Sequence, residues 1–291
     1  MPTLFRIFSV VPLWLMHALG AVMGWLAWMC SPTYRRRFAQ NSRQAGYRFS
    51  QVRGAVGHAG RMVAELPRLW LQDTPVRAMH NVQVVEEAWA RGKGILFLTP
   101  HLGCFELSVQ TAAKHWSAEH GDITILYRPA KQAWLADMMV TARNRSGIQA
   151  VPTTLAGVRQ MIKALRKGQA VGLLPDQVPP EGQGQWAPFF GKDAYTMTLA
   201  ARLALQTGAT VVLARCERLS CGRGYELFFE ALPVPLSEQL DTAVVQLNQA
   251  MEHTIRQCPT QYLWGYGRYK RPRQEAAAVA ANTKSAEGGA L

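Results

Sequence analysis

The chain has 291 residues, 48% of them hydrophobic, and a formal net charge of +13. That length and apolar content suffice for a buried core and exclude general disorder. The positive balance asks for an anionic partner, and composition alone does not choose among nucleic acid, anionic lipid and acidic protein.

Ile7 to Cys30 is a run of 24 residues without a formally charged side chain, His17 being taken as neutral. As one helix it is long enough to span the hydrocarbon core of a bilayer, which takes roughly 20 apolar residues. Trp14, Trp25 and Trp28 suit a segment that meets headgroups, and Arg35, Arg36 and Arg37 follow at once, which places the rest of the chain on the cytoplasmic side if the segment crosses. A cleaved signal peptide fits less well, because only Arg6 precedes the run and no small-residue cleavage site closes it. A buried core helix and a retained anchor, spanning or interfacial, stay open, and the anchor is the expectation. Residues 1–72 hold nine arginines, no lysine and one acid, Glu65, with Tyr34, Phe38, Tyr47 and Phe49 among the arginines. This pattern is expected to form basic amphipathic helices over residues 32–72, with arginines toward anionic headgroups.

From about residue 80 the pattern alternates. An apolar run at Val82–Val85 reads as a strand, and residues 86–90 as helical. Gly94–Thr99 reads as a buried strand, residues 105–118 as a helix, Ile123–Tyr127 as a strand and Trp134–Arg145 as a helix. Helices are expected at 155–167, 196–206 and 237–257, and strands at 170–174, 211–219 and 225–232. Alternating strands and helices predict an α/β fold, a mixed sheet covered by helices, behind an N-terminal hydrophobic anchor helix. The expected division is an anchor at 1–31, a catalytic domain at 32–274 and a disordered Ala-rich tail at 275–291.

The chemistry concentrates at Thr99-Pro100-His101-Leu102-Gly103-Cys104-Phe105-Glu106, where a strand gives way to a helix. On one continuous helix, residues five apart differ by about 140°, so His101 and Glu106 would not share a face. With His101 in the loop and Glu106 in the first helical turns the two side chains can meet. Glu106 is then expected to accept from one imidazole nitrogen, which leaves the other as a base toward a substrate hydroxyl. A structural histidine before a helix is the plainer alternative. Five cysteines, Cys30, Cys104, Cys216, Cys221 and Cys258, with no C-x-x-C pair, read as reduced thiols rather than a disulfide framework or zinc site. Cys104 has apolar neighbours, which disfavours a thiol nucleophile. His115 and His120 fit no familiar metal spacing and are read as surface residues. No G-x-S-x-G elbow, P-loop or G-x-G-x-x-G is present.

His, four residues, then an acid is a weak signal alone. Further blocks follow in order: Tyr127-Arg128-Pro129, Arg143-Asn144-Arg145-Ser146-Gly147, Leu174-Pro175-Asp176-Gln177, Phe189-Phe190-Gly191 and Gln261-Tyr262-Leu263-Trp264-Gly265-Tyr266-Gly267-Arg268. Over roughly residues 1–271 the chain resembles the bacterial lipid A biosynthesis acyltransferases, and more distantly the glycerolipid acyltransferases. Tyr266 stands where that family commonly has His. The resemblance implies an O-acyltransferase on the cytoplasmic face of the inner membrane, with no cofactor and no metal. Acyl-acyl carrier protein is the implied donor, and the implied acceptor is a hydroxyl of a lipid A precursor. His101 and Glu106 would be catalytic. Arg143, with Arg145 as the weaker alternative, would stabilise the oxyanion or a substrate phosphate, and backbone amides at the start of the helix after His101 are further oxyanion candidates. Arg128 would bind a phosphate or simply follow the strand, and Asp176, at a strand's C-terminal end, would orient an arginine or the acceptor sugar, or else cap the loop. Acylation of a lysophospholipid or amino-acid lipid, or a non-catalytic basic membrane protein, are the alternatives. A nucleic-acid binder would not need the Ile7–Cys30 segment.

Overall fold

A computed structural model of the chain describes residues 2–127 and 146–272. Arg128, Arg143, Arg145, the helix expected at Trp134–Arg145 and the tail from residue 275 lie outside the described residues.

The N-terminal apolar run is two helices, α1 (Pro2–Ser9) and α2 (Leu13–Cys30). The break falls at residues 10–12, where Pro12 has an extended backbone and offers no N–H to continue α1. Ser31 then caps α3 (Pro32–Gln44), its hydroxyl accepting from the Tyr34 amide at 3.2 Å with Pro32 in the first turn. Short helices α4 (Phe49–Val52), α5 (Gly54–Ala64) and α6 (Leu66–Leu71) complete the basic region.

Seven strands form the main sheet: β1 (Ala78–His80), β2 (Ile95–Leu98), β3 (Ile123–Tyr127), β4 (Ile148–Pro152), β5 (Ala170–Leu173), β8 (Thr210–Arg218) and β9 (Tyr225–Ala231). Their spatial order is β1-β9-β8-β2-β5-β3-β4. All neighbours are parallel except β8 and β9, so the sheet is mixed. A separate hairpin joins β6 (Gly184–Phe189) to β7 (Lys192–Met197). The helices between and after these strands are α7 (Val82–Ala90), α8 (Phe105–His120), α9 (Leu155–Arg166), α10 (Leu199–Thr207) and α11 (Leu240–Gln257).

β2 sits near the middle of the sheet with all four side chains buried. Strand periodicity sends Leu96 and Leu98 into one core with Met161, Leu165 and Met251, and Ile95 and Phe97 into the other with Leu107, Trp116 and Phe229. Val82–Val85 is not a strand: it opens α7, with Val85, Ala88 and Trp89 as its buried face at helical spacing. The strand of this region is the shorter Ala78–His80 before it. Thr196 and Met197, expected to begin a helix, end β7 instead.

Candidate active site

The register of the sheet sets the site. β2 and β5 run parallel with Leu98 opposite Leu173, so the segments leaving their carboxyl ends emerge side by side. Thr99-Pro100-His101 follows β2 and Leu174-Pro175-Asp176 follows β5. Asp176 meets His101 twice. One carboxylate oxygen is 2.7 Å from Nδ1 of the ring, and the other accepts from the His101 amide at 3.0 Å. Asp176 is 2% exposed. Burial pushes its carboxyl upward, but the facing His101 charge and both hydrogen bonds from His101, with Arg268 beyond, hold it below the ordinary aspartate range. An ionised carboxylate only accepts, so Nδ1 carries a hydrogen toward Asp176 and Nε2 is the ring nitrogen left for another partner.

The loop that carries His101 is braced by residues 261–263 and by β8. Leu263 donates its amide to the His101 carbonyl at 3.1 Å, Gly103 donates to the Gln261 carbonyl at 3.1 Å, and Cys104 donates to the Cys216 carbonyl at 2.8 Å. Gly103 has a φ of +58°, and a Cβ there would overlap the Cys216 carbonyl oxygen, so the position admits only glycine. The Gln261 side chain closes the brace by accepting from the Arg218 amide and donating to the Arg218 carbonyl, each at 3.0 Å. Tyr266 supports the other arm of the site: its hydroxyl accepts from the Val178 amide at 3.0 Å, two residues past Asp176.

His101 lies in the wall of a cavity of about 930 Å³ that runs between α8 and the sheet. Phe97, Val109, Ala112, Ile123, Ile125 and Phe229 make its apolar lining, while Thr153, Thr154, Gln177 and Arg202 contribute polar groups. Phe105 packs its ring 5.0 Å from the imidazole. With Nδ1 turned to the buried Asp176, the Nε2 edge is the one that faces this space.

The structure thus brings His101, Glu106 and Asp176 to one place, Glu106 lining the same cavity from the first turn of α8. Both oxygens of Asp176 are on His101, with Arg268 beyond. The amides of Gly103 and Cys104, among the expected oxyanion donors, are occupied by backbone carbonyls. Cys104 is 2% exposed, and burial, with its Cys216 neighbour, raises its thiol well above the ordinary range, which is unsuited to a nucleophile. All five cysteines are free thiols. His120 is not a bare surface residue, since it stacks on Trp89 with the ring centroids 4.1 Å apart. The brace by Gln261 and Leu263 has no local signal in the sequence beyond its place in the last of the blocks that carry the resemblance.

Residues 44–271 match the family model described as bacterial lipid A biosynthesis acyltransferase. The chain is 29% identical over 201 residues to the lipid A biosynthesis lauroyltransferase of Escherichia coli (strain K12), an alignment covering 68% of this chain and 62% of that protein. It is 26% identical over 225 residues to the lipid A biosynthesis palmitoleoyltransferase of the same organism, covering 75% and 71%. A lipid A biosynthesis acyltransferase of Haemophilus influenzae is 23% identical over 185 residues, covering 63% of this chain and 56% of that one.

Proposed function

The chain belongs to the bacterial lipid A biosynthesis acyltransferase family, and we propose that it transfers a fatty acyl group from acyl-acyl carrier protein to a hydroxyl of a lipid A precursor at the cytoplasmic face of the inner membrane. The observation that carries this reading is a histidine with one nitrogen fixed by a buried carboxylate and the other at the wall of a large apolar cavity. A cavity of this size and lining is of the kind that takes a hydrocarbon ligand. His101 Nε2 takes the proton of the acceptor hydroxyl as its oxygen attacks the thioester carbonyl. The tetrahedral intermediate then collapses, the C–S bond breaks, and the imidazolium returns the proton to the departing thiolate. Asp176 holds the ring and favours its charged state. Glu106 is the second carboxylate of the site, stabilising charge on the ring from the cavity side. With Gly103 and Cys104 occupied, the Phe105 amide at the N-terminus of α8 is the backbone donor assigned to the oxyanion. Arg143, or Arg145, is assigned to the oxyanion or a substrate phosphate, and Arg128 to a phosphate.

The donor reading has support in the charge of α9. Arg159, Lys163, Arg166 and Lys167 line a surface hollow of about 400 Å³, and the helix carries no acid. Leu155 opens the same helix at the rim of the large cavity and is 79% exposed. A basic stripe leading to an acyl cavity complements an acidic carrier.

The test is transfer of a labelled acyl group from acyl carrier protein to a Kdo-lipid A precursor and to a lysophospholipid, using wild type, His101→Ala and Glu106→Ala. Transfer to the lipid A precursor that both substitutions abolish is the expected result. Transfer only to the lysophospholipid would keep the chemistry and overturn the acceptor. No transfer to either would overturn the enzymatic reading.

A further inference from the structure

The apolar segment near the N-terminus is not a free-standing helix. Along α2, Met16, His17, Gly20 and Gly24 are buried. At about 100° per residue they form one face. The opposite face carries Leu19, Val22, Met23, Leu26 and Met29, each between 45% and 57% exposed.

The buried face is fastened to the domain from end to end. At its start Arg68 donates to the Val11 carbonyl at 3.0 Å, and Gly222, in the β8–β9 turn, abuts the backbone of Trp14, where a Cβ would not fit. Next, His17 Nε2 is 2.7 Å from Glu65, which is itself paired with Arg218 of β8 at 2.5 and 3.0 Å. In the middle, Gly20 and Gly24 cross α5 at Gly60 so closely that a Cβ on Gly60 would overlap the Gly20 carbonyl oxygen. At the end, Trp25 and Trp28 pack on Phe49, and Arg35 donates to the Trp28 carbonyl at 3.0 Å.

A helix held in this way cannot cross a bilayer without taking the domain with it. α2 is about 27 Å long at 1.5 Å per residue, close to the hydrocarbon thickness. If it stood upright, the exposed Arg223 beside its Trp14 end and the exposed Arg36 and Arg37 beyond its Cys30 end would face opposite sides of the membrane. The turns and strand ends between them would lie in hydrocarbon, where backbone polar groups find no partner. Laid flat, the same helix puts its apolar face into lipid and leaves the domain in water. Ile7, Phe8 and Val10 of the α1 end and Val63 of α5 extend the exposed apolar surface. Exposed Arg48 and Arg53 flank the exposed Phe49, which packs on α2, so cations border the apolar face.

We propose that α1 and α2 lie in the plane of the headgroup layer of an anionic lipid leaflet, outer face toward the acyl chains, and that α2 does not traverse the bilayer. This rests on the reading of the protein as an enzyme of membrane lipid. Insertion of an apolar face bordered by arginines is the mode of an interfacial anchor.

Side-specific labelling of the full chain tests it. In a Cys221→Ser background, native Cys30 serves as the exposed thiol at one end of α2. A Cys30→Ser, Arg6→Cys variant places it at the other. Membrane-impermeant maleimide is applied to spheroplasts and to inverted inner-membrane vesicles. Labelling of both positions from the inverted vesicles only is expected. Labelling of position 6 from the spheroplast exterior would overturn the proposal. In parallel, purified protein is sedimented with vesicles of phosphatidylethanolamine and phosphatidylglycerol, or of phosphatidylcholine alone. Binding is expected to the anionic vesicles, to weaken roughly fivefold for each of Arg48→Gln and Arg53→Gln, and to weaken further with Val22→Asp. Equal binding to both vesicle types, indifferent to Val22→Asp, would also overturn it. Acyl transfer to detergent-dispersed acceptor, measured on the same preparations, separates the two readings. Wild-type transfer that persists confines a failure to the membrane geometry, and its absence strikes the enzymatic reading itself.

Discussion

At the scale of single residues the site turns on one carboxylate. Asp176 is buried, ionised and doubly bonded to His101, so it fixes the ring's position through the backbone and its tautomer through Nδ1. Asp176→Asn keeps the shape and removes the charge. Its amide can also present a donor to Nδ1 and turn the ring to the wrong tautomer. We expect kcat to fall by about 10²–10⁴-fold with KM changed only slightly, as general-base losses of this kind do; steady-state kinetics on the purified variant check it. Tyr266→Phe removes the acceptor that holds the Val178 amide. A loss of about 1 kcal/mol in stability is expected from that hydrogen bond, readable as a lower denaturant midpoint. His101 and Glu106 are legible in the sequence because both sit in one short segment at a strand-to-helix junction. The Asp176 partnership is not, because it spans 75 residues and depends on β2 lying beside β5 in register. A sequence places Asp176 at a strand end but does not say which strand is its neighbour.

At the scale of elements, a clean apolar run bounded by breakers is readable even when short, and a mixed one is not. β3 has the bounds its Ile-Thr-Ile-Leu-Tyr composition implies. The β6–β7 hairpin escapes notice for local reasons. β6 contains Gly184 and Pro188, and its turn places Phe190 and Gly191 at φ of +50° and +72°. That two-residue turn ordinarily advertises itself by Asn-Gly or Asp-Gly, and Phe-Gly does not. The α2–α5 crossing is hidden for the opposite reason: Gly20, Gly24 and Gly60 look like helix weaknesses in sequence and are the contact itself. Gly60→Ala is expected to separate the helices and cost about 1–3 kcal/mol through overpacking, measured by chemical unfolding of the full chain.

At the scale of the molecule, the buried Glu65–Arg218 pair joins the start of α6 to β8, and His17 ties α2 to it. Burial alone raises the Glu65 carboxyl, but Arg218 and the hydrogen bonds from His17 and Arg218 bring it down to about 2. A depressed carboxyl stabilises in full above its ordinary value of 4.5, and that stabilisation is lost as the pH falls toward 2. Glu65→Gln is expected to destabilise the fold by roughly 3–5 kcal/mol at neutral pH, because Arg218 remains buried without its counter-charge. The variant should also lose less stability than wild type between neutrality and about pH 3. Denaturant midpoints of both proteins across that range give the answer.

The brace on the His101 loop has a temporal side. Its struts, Gln261 and Leu263, are made after every strand of the sheet, and the adjoining Trp264 and Tyr266 carbonyls are gripped by Asn41 from the opposite end of the chain. During synthesis the N-terminal helices leave the ribosome first, long before the His101 loop has anything to rest on. The loop around His101 therefore gains its full support only when the segment 261–266, near the end of the described residues, closes over Asn41.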